Sequence, residues 1–243
     1  MALQVRGHGA PPDGRLFRIR FLNYTQRMAR GLQRSTASVL ERDRRKPGSW
    51  ATTPAKRRRI LDAALSCFDE RGIAATTIDD ICAAAGLHVG SIYHHFAGKD
   101  DIFETLARDA MGDYLAGVVD ALAGGRSSPD SIRRLVAFHV RWVEQRPALT
   151  RLMLSWEETE RDRPSGREHY VQYSEAIGAW LRREARAGRI RRMEPDLYST
   201  LLMGPLMEHA RQRSAGLTSA SPQTMQRGLA AGLRRVLLSG GDG

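Results

Sequence analysis

The sequence predicts an all-α protein of about nine helices, and three observations carry that reading. Apolar residues recur every three or four positions, as in Ile132, Leu135, His139, Val143 and again in Tyr170, Tyr173, Ile177, Leu181. Pairs of a hydroxyl residue and a proline, the cap and first position of a helix, stand at Thr53-Pro54, Ser128-Pro129 and Ser221-Pro222. Neither a run of strand-like alternation nor an internal repeat competes with them.

The elements follow in order. Thr53-Pro54 opens a first helix that turns Ile60, Leu61, Ala64, Leu65, Cys67 and Phe68 inward and stops at Gly72. Thr77 to Asp80 reads as a capping box for a short second helix ending at Gly86. After the turn Gly86-Leu87-His88-Val89 a third short helix runs through Phe96. Longer helices are expected over 99–122, 129–145 and 148 to about 161, then over 167–187, 195–215 and 222–238. Gly204-Pro205 predicts a kink in the second-last of these. The chain therefore divides into a basic extension (1–52), a three-helix domain (53–100) and a larger helical domain (101–239).

Charge is distributed unevenly. The net charge is +11, yet residues 1–59 hold 15 Lys and Arg against 3 Asp and Glu, and residues 60–243 hold the remaining 23 against 24. A polyanion would be met at the N-terminal end. No run approaches the roughly 20 apolar residues of a membrane span. The basic N-terminus lacks the apolar core of a secretory signal. Cys67 and Cys82, both in helix-like patterns, suit a reducing compartment, and a bacterial cytoplasmic location is expected.

Residues 88–96, HVGSIYHHF, raise the question of a metal site. Histidines that chelate one ion from a single helix need i,i+3 or i,i+4 spacing. His88, His94 and His95 are separated by 1, 6 and 7 positions, so no cofactor or metal is expected there. Two short helices joined by a glycine turn instead make a helix-turn-helix, whose second helix fits the DNA major groove. Ile81, Ala84, Leu87 and Ile92 are expected to fill its core. Small residues at Gly90 and Ser91 permit close approach to bases, while Tyr93, His94, His95 and Lys99 supply donors for phosphate oxygens.

At this point the stretch TTIDDICAAAGLHVGSIYHHFAGKDDIF (76–103), preceded by RRRILDAALSCFDERG (57–72), resembles the TetR family of bacterial transcriptional regulators. The family's pattern of a small residue, an apolar residue, Tyr, an aromatic, His and Phe, followed soon by Lys, matches Ser91, Ile92, Tyr93, His94, His95, Phe96 and Lys99. His94 departs from the commoner Tyr or Trp and offers less stacking surface. The resemblance implies that Tyr93, His95 and Lys99 clamp phosphates and that Thr77 meets the DNA backbone. It implies that Val89, Gly90 and Ser91 face base edges with His94 at the rim, and that Phe96 is core. Arg57 and Arg58 open the first helix beside the DNA.

For the larger domain the resemblance implies an internal pocket for an apolar or amphipathic small effector of unknown identity. Phe138, Trp142, Met153, Trp156, Tyr173, Ile177 and Met203 are candidates for its lining, because aromatics and Met adapt to apolar ligands. His139 and His209 lie on apolar stripes and are either polar anchors or satisfied core histidines. Gly228, Gly232, Met225, Leu229, Leu233 and Val236 form a small and apolar seam on the last helix. By resemblance the last two helices pair with those of a second copy to form a homodimer. No Glu-x-x-His pair, nucleophile elbow or phosphate loop occurs, so an enzyme is not expected.

The expected function is a dimeric transcriptional regulator, a repressor rather than an activator, released from a near-palindromic double-stranded operator by its effector. A nucleoid-type DNA binder with no effector is the alternative. In the extension, Phe17, Phe21, Tyr24, Met28 and Leu32 follow an amphipathic pattern with arginines around it. Three readings of that segment stay open: an arm along phosphates, residues added by an upstream start, or a surface for a partner or membrane.

Overall fold

Two separate clusters of buried side chains account for how the helices are arranged. The computed structural model describes residues 52–160, 175 and 177–238. The extension 1–51 lies outside the described residues, as do the expected helix start near 167 and Tyr170 and Tyr173. Among the described residues the helices are α1 (Thr52–Arg71), α2 (Ile78–Ala85), α3 (Val89–Tyr93), α4 (Lys99–Ala123) and α5 (Ser128–Gln145). They continue as α6 (Pro147–Glu160), α7 (177–186), α8 (Pro195–Ser214) and α9 (Pro222–Leu237). The described residues hold no strand, and Ile190 and Leu238 form an isolated antiparallel bridge.

The smaller core joins α1, α2, α3 and the first turns of α4. Ile60, Ala64, Phe68, Ile81, Ile92, Phe96, Ile102 and Phe103 are buried in it, and the rings of Phe68 and Phe103 meet edge to face at 6.1 Å. Of the expected α2–α3 core, Ile81 and Ile92 are fully buried and Leu87 is half-buried. Ala84 is exposed, and Ala85 is buried in its place. The helix is only eight residues long, so a one-residue error rotates the choice by about 100°.

Caps fix where these elements begin. Thr77 Oγ accepts the Asp80 N–H at 3.1 Å, and the Asp80 carboxylate accepts the Thr77 N–H at 2.8 Å, completing the expected capping box. The Thr77 hydroxyl, which donates to the Asp80 carboxylate at 2.7 Å, and then the Thr77 N–H hold that carboxyl below the usual carboxylate range. Gly86 ends α2 at φ 59°, a left-handed conformation that favours glycine. At α5 the cap is Ser127, one residue earlier than expected. Ser128 instead becomes the first helical residue and donates to the buried Glu184 at 2.8 Å.

The larger core is built by the rest of α4 with α5 to α9. Tyr114, Val118 and Leu122 meet Ile132, Leu135, Val136 and Val140 across the α4–α5 pair. Ile177, Trp180 and Leu181 of α7, Leu202 and Leu206 of α8, and Leu233 and Leu237 of α9 close it. Glu184 accepts from Arg189, Ser128 and Arg183, and these bonds, Arg189's first, bring its carboxyl down to about 2. α8 carries Pro205, the position of the expected kink, inside one continuous helix.

Two helices serve both cores. On α6, Leu152 packs in the smaller cluster and its neighbour Met153 in the larger. α4 does the same along its length: Leu106 belongs to the first and Ala110 to the second.

Candidate nucleic-acid interface

α3 presents a face that none of the described residues covers. Val89 is 47% exposed and Tyr93 57% exposed, both large for a surface apolar or aromatic side chain. Gly90 is exposed between them, and a Cβ placed on it would meet nothing within 4 Å. Ile92 points the other way and is fully buried, so the five-residue helix is anchored by one side chain. Ser91 is half-buried at the edge. His94 is exposed and His95 half-buried, with their rings 5.0 Å apart.

Positive charge gathers beside this face. The Arg57 guanidinium lies over the Phe96 ring at 5.0 Å, which carries the first turn of α1 to the end of α3. Burial first, then His94, Arg57 and Lys56, hold the His95 imidazole below its ordinary range. Arg58 points elsewhere, pairing with Asp62 at 3.0 Å on its own helix. Arg59, absent from the expected contact set, donates to the Gly86 carbonyl at 3.3 Å and so braces the turn of the helix-turn-helix.

Two expected clamp residues carry internal duties. Lys99 Nζ donates to the Thr76 carbonyl at 2.8 Å and to the Ala74 carbonyl at 3.2 Å, tying the start of α4 to the α1–α2 loop. An ammonium has three donors, so one remains for an outside acceptor. Thr77 Oγ donates to Asp80 at 2.7 Å while it caps α2, so any contact it makes with DNA shares that hydroxyl. The Lys99 bonds are not visible in sequence spacing, because their partners are backbone carbonyls 23 to 25 residues away.

The expected effector residues divide between the two cores. Phe138, Trp142, Met153, Ile177 and Met203 all pack on the larger cluster. Trp156 packs on the smaller one, and Tyr173 lies outside the described residues. Tyr114, which the sequence reading left out, stands at the centre, with its ring 5.6 Å from Phe138 and 5.5 Å from Trp142. Its hydroxyl meets His139 Nδ1 at 2.8 Å, and His139 Nε2 meets His209 Nδ1 at 3.1 Å. The α4 stripe that places Tyr114 among Ala110, Val118 and Ala121 was the signal available for it.

On the last helix the expected apolar seam separates. Leu233 is 3% exposed and belongs to the chain's own core, whereas Val236 is 38% exposed. Leu229 is half-buried, and Gly228 and Gly232 are exposed with open space at their Cβ positions.

A short helix with an exposed outer face, its partner helix capped by Thr77 and Asp80, and basic residues at its rim define a helix-turn-helix domain on a helical bundle. Residues 60–106 match the family model for bacterial regulatory proteins of the tetR family. It is 37% identical over 81 residues to the HTH-type transcriptional repressor KstR2 of Rhodococcus jostii, covering 33% of this chain and 40% of that protein. The chain thus spans about two fifths of that relative. In fold it is similar to the fatty acid degradation regulator FadR from Bacillus halodurans, with a TM-score of 0.64, 19% identity, and 78% and 96% of the two chains covered. It is likewise similar to the ketosteroid transcriptional regulator KstR2 of Mycobacterium tuberculosis, at 0.62, 23%, 76% and 96%.

Proposed function

We propose that this chain is a one-component transcriptional repressor that binds double-stranded DNA as a homodimer and leaves it when a small apolar or amphipathic effector enters the larger bundle. The carrying observation is α3. Val89, Gly90 and Tyr93 are turned to solvent, while Ile92 behind them is fully buried. A helix held by its inner face with small and aromatic groups outside is shaped for a major groove.

In this reading Val89, Gly90 and Ser91 approach base edges. Tyr93, His95, Arg57 and the remaining Lys99 donor meet phosphates, and His94 and Thr77 lie at the rim. Arg58 contributes after leaving Asp62. Two copies, joined through α8 and α9, place their α3 helices in successive grooves roughly 34–36 Å apart on a near-palindromic operator. The repressor sign is supported by the curated relative, itself a transcriptional repressor. Release requires an effector that prefers a conformation in which that spacing is lost. α6 supplies a route, because its adjacent residues Leu152 and Met153 belong to different cores.

Selection of duplexes from a random library tests the reading. A recovered near-palindrome with half-sites one helical turn apart supports it. Uniform recovery of unrelated sequences contradicts it.

A further inference from the structure

The larger core contains one polar group that the fold does not use. Trp142 is 6% exposed, and its indole Nε1–H has no hydrogen-bond partner among the described residues. A buried donor left unpaired costs about 1–3 kcal/mol, so such a group asks for an explanation. The neighbouring polar groups do not supply one. Tyr114 bonds His139, and His139 spends both ring nitrogens, on Tyr114 and on His209. That chain satisfies itself, which removes His139 as the anchor of a ligand and leaves Trp142.

The surroundings of the indole specify its missing partner. Tyr114 and Phe138 flank it with ring centroids 5.5 and 5.9 Å away, and Met153 and Ile177 belong to the same cluster. These surfaces accept an apolar skeleton and offer no second hydrogen bond. Burial brings His139 down to about 3, so it is neutral and gives no counter-ion to a carboxylate. The Arg146 guanidinium lies 4.3 Å from the Trp142 ring, but it faces Asp113 at 3.5 Å and is exposed. Among the described residues, an anion brought into this cluster would lose its hydration and meet no cation that is not already paired with a carboxylate.

Building on the effector reading above, we infer that Trp142 is the polar anchor of the effector site and that the effector is an uncharged apolar molecule carrying a hydrogen-bond-accepting oxygen, of the ketone or ester type, held by the Trp142 indole N–H. The oxygen accepts one hydrogen bond and the apolar body replaces contacts among Phe138, Tyr114 and Met153. Recognition is by one acceptor in an apolar setting, so a matched molecule without the oxygen binds more weakly and a carboxylate binds worst.

The test uses the full chain and three probes of one shape: acetophenone, α-methylstyrene and benzoate. The chain has four tryptophans, Trp50, Trp142, Trp156 and Trp180, so a nitrogen-15 correlation spectrum shows four indole N–H signals. Trp142→Phe identifies one of them. If that variant does not fold, Trp50→Phe, Trp156→Phe and Trp180→Phe identify it by elimination. Acetophenone is expected to move the Trp142 signal downfield and to bind about five- to tenfold tighter than α-methylstyrene. Trp142→Phe should erase that preference and keep the binding of α-methylstyrene. Equal affinity for the ketone and the hydrocarbon, tightest binding of benzoate, a shift confined to other tryptophans, or no binding of any probe would overturn the inference. Binding of a random DNA duplex is measured on the same samples. Intact DNA binding with failed probes removes this inference alone, whereas no DNA binding by the unmodified chain removes the regulator reading.

Discussion

Asp69 on α1 and Arg151 on α6 are joined by two parallel hydrogen bonds, Nε to Oδ1 at 2.7 Å and Nη2 to Oδ2 at 2.8 Å. This planar fork links the first helix of the smaller core to the helix that also enters the larger core. One residue further, Leu152 is 5% exposed within the smaller cluster. The two contacts differ in kind. The ion pair is partly solvated, with side-chain exposures of 43% for Arg151 and 26% for Asp69, so its effect on stability is under about 1 kcal/mol. Leu152 is packed, and truncating it leaves a cavity.

The first prediction separates these roles. Asp69→Asn is expected to lower unfolding stability by less than about 1 kcal/mol, and Leu152→Ala by about 2–5 kcal/mol, in denaturant titration. A reversed pair, Asp69→Arg with Arg151→Asp, should recover most of what either reversal loses alone. No recovery would mean that the fork is not a specific link.

A second prediction concerns pH and DNA. The His95 imidazole is held below its ordinary range by burial and by the nearby cations, and a phosphate placed there favours its charged form. DNA binding should therefore take up a proton and tighten as pH falls from about 8 to 6. His95→Gln should flatten that dependence. Equal slopes for both proteins, measured by fluorescence anisotropy, would take His95 off the phosphate.

Stability should move the other way with pH. His139 titrates near 3 in the fold, against about 6.5 when unfolded, so the unfolded chain binds the extra proton between those values. The stability contributed by the neutral native ring is complete above about pH 6.5 and is lost as pH falls toward 3. The expected slope from this group is up to about 1.4 kcal/mol per pH unit. His139→Gln should remove that slope over pH 6 to 4, where Glu184, brought down to about 2, contributes only as the usual carboxylate range is reached. An unchanged slope in urea titrations would contradict the assignment.

The sequence was most legible where a local rule decides. The Thr77 and Asp80 capping box, the glycine end of α2 and the burial of Ile81 and Ile92 follow from spacing alone, whereas the burial of Phe96 was implied by the resemblance. Register errors arose where two residues satisfy the same rule. Ser127 and Ser128 both suit a cap, and the choice was made by Glu184, 56 residues away, which takes the Ser128 hydroxyl. Leu233 and Val236 share a helical stripe, and only the packing of α5 and α9 decides which turns inward. The Lys99 bonds to backbone carbonyls and the Tyr114–His139–His209 chain were beyond reach for the same reason, since the partners are distant in sequence.

That division of the seam sets the test of the proposed homodimer. Val236 and Gly232 are exposed on α9, whereas Leu233 holds the chain's own core. Gly232→Glu with Val236→Glu is expected to leave the helical circular dichroism unchanged and to yield monomers with weak DNA binding. A mass in light scattering equal to that of the unmodified protein would contradict an interface at these residues.

The central claim is that the outer face of α3 meets DNA, and Gly90 gives its most direct measurement. A side chain at Gly90 has open space, so Gly90→Glu puts a carboxylate on that face without disturbing the fold. The affinity of the unmodified chain and of Gly90→Glu for the selected operator, measured across a salt series, decides the matter. The account predicts an unchanged melting temperature with DNA affinity reduced at least a hundredfold, since like charge at a phosphate surface costs several kcal/mol. Binding of Gly90→Glu that overlays the unmodified protein across the series would contradict it.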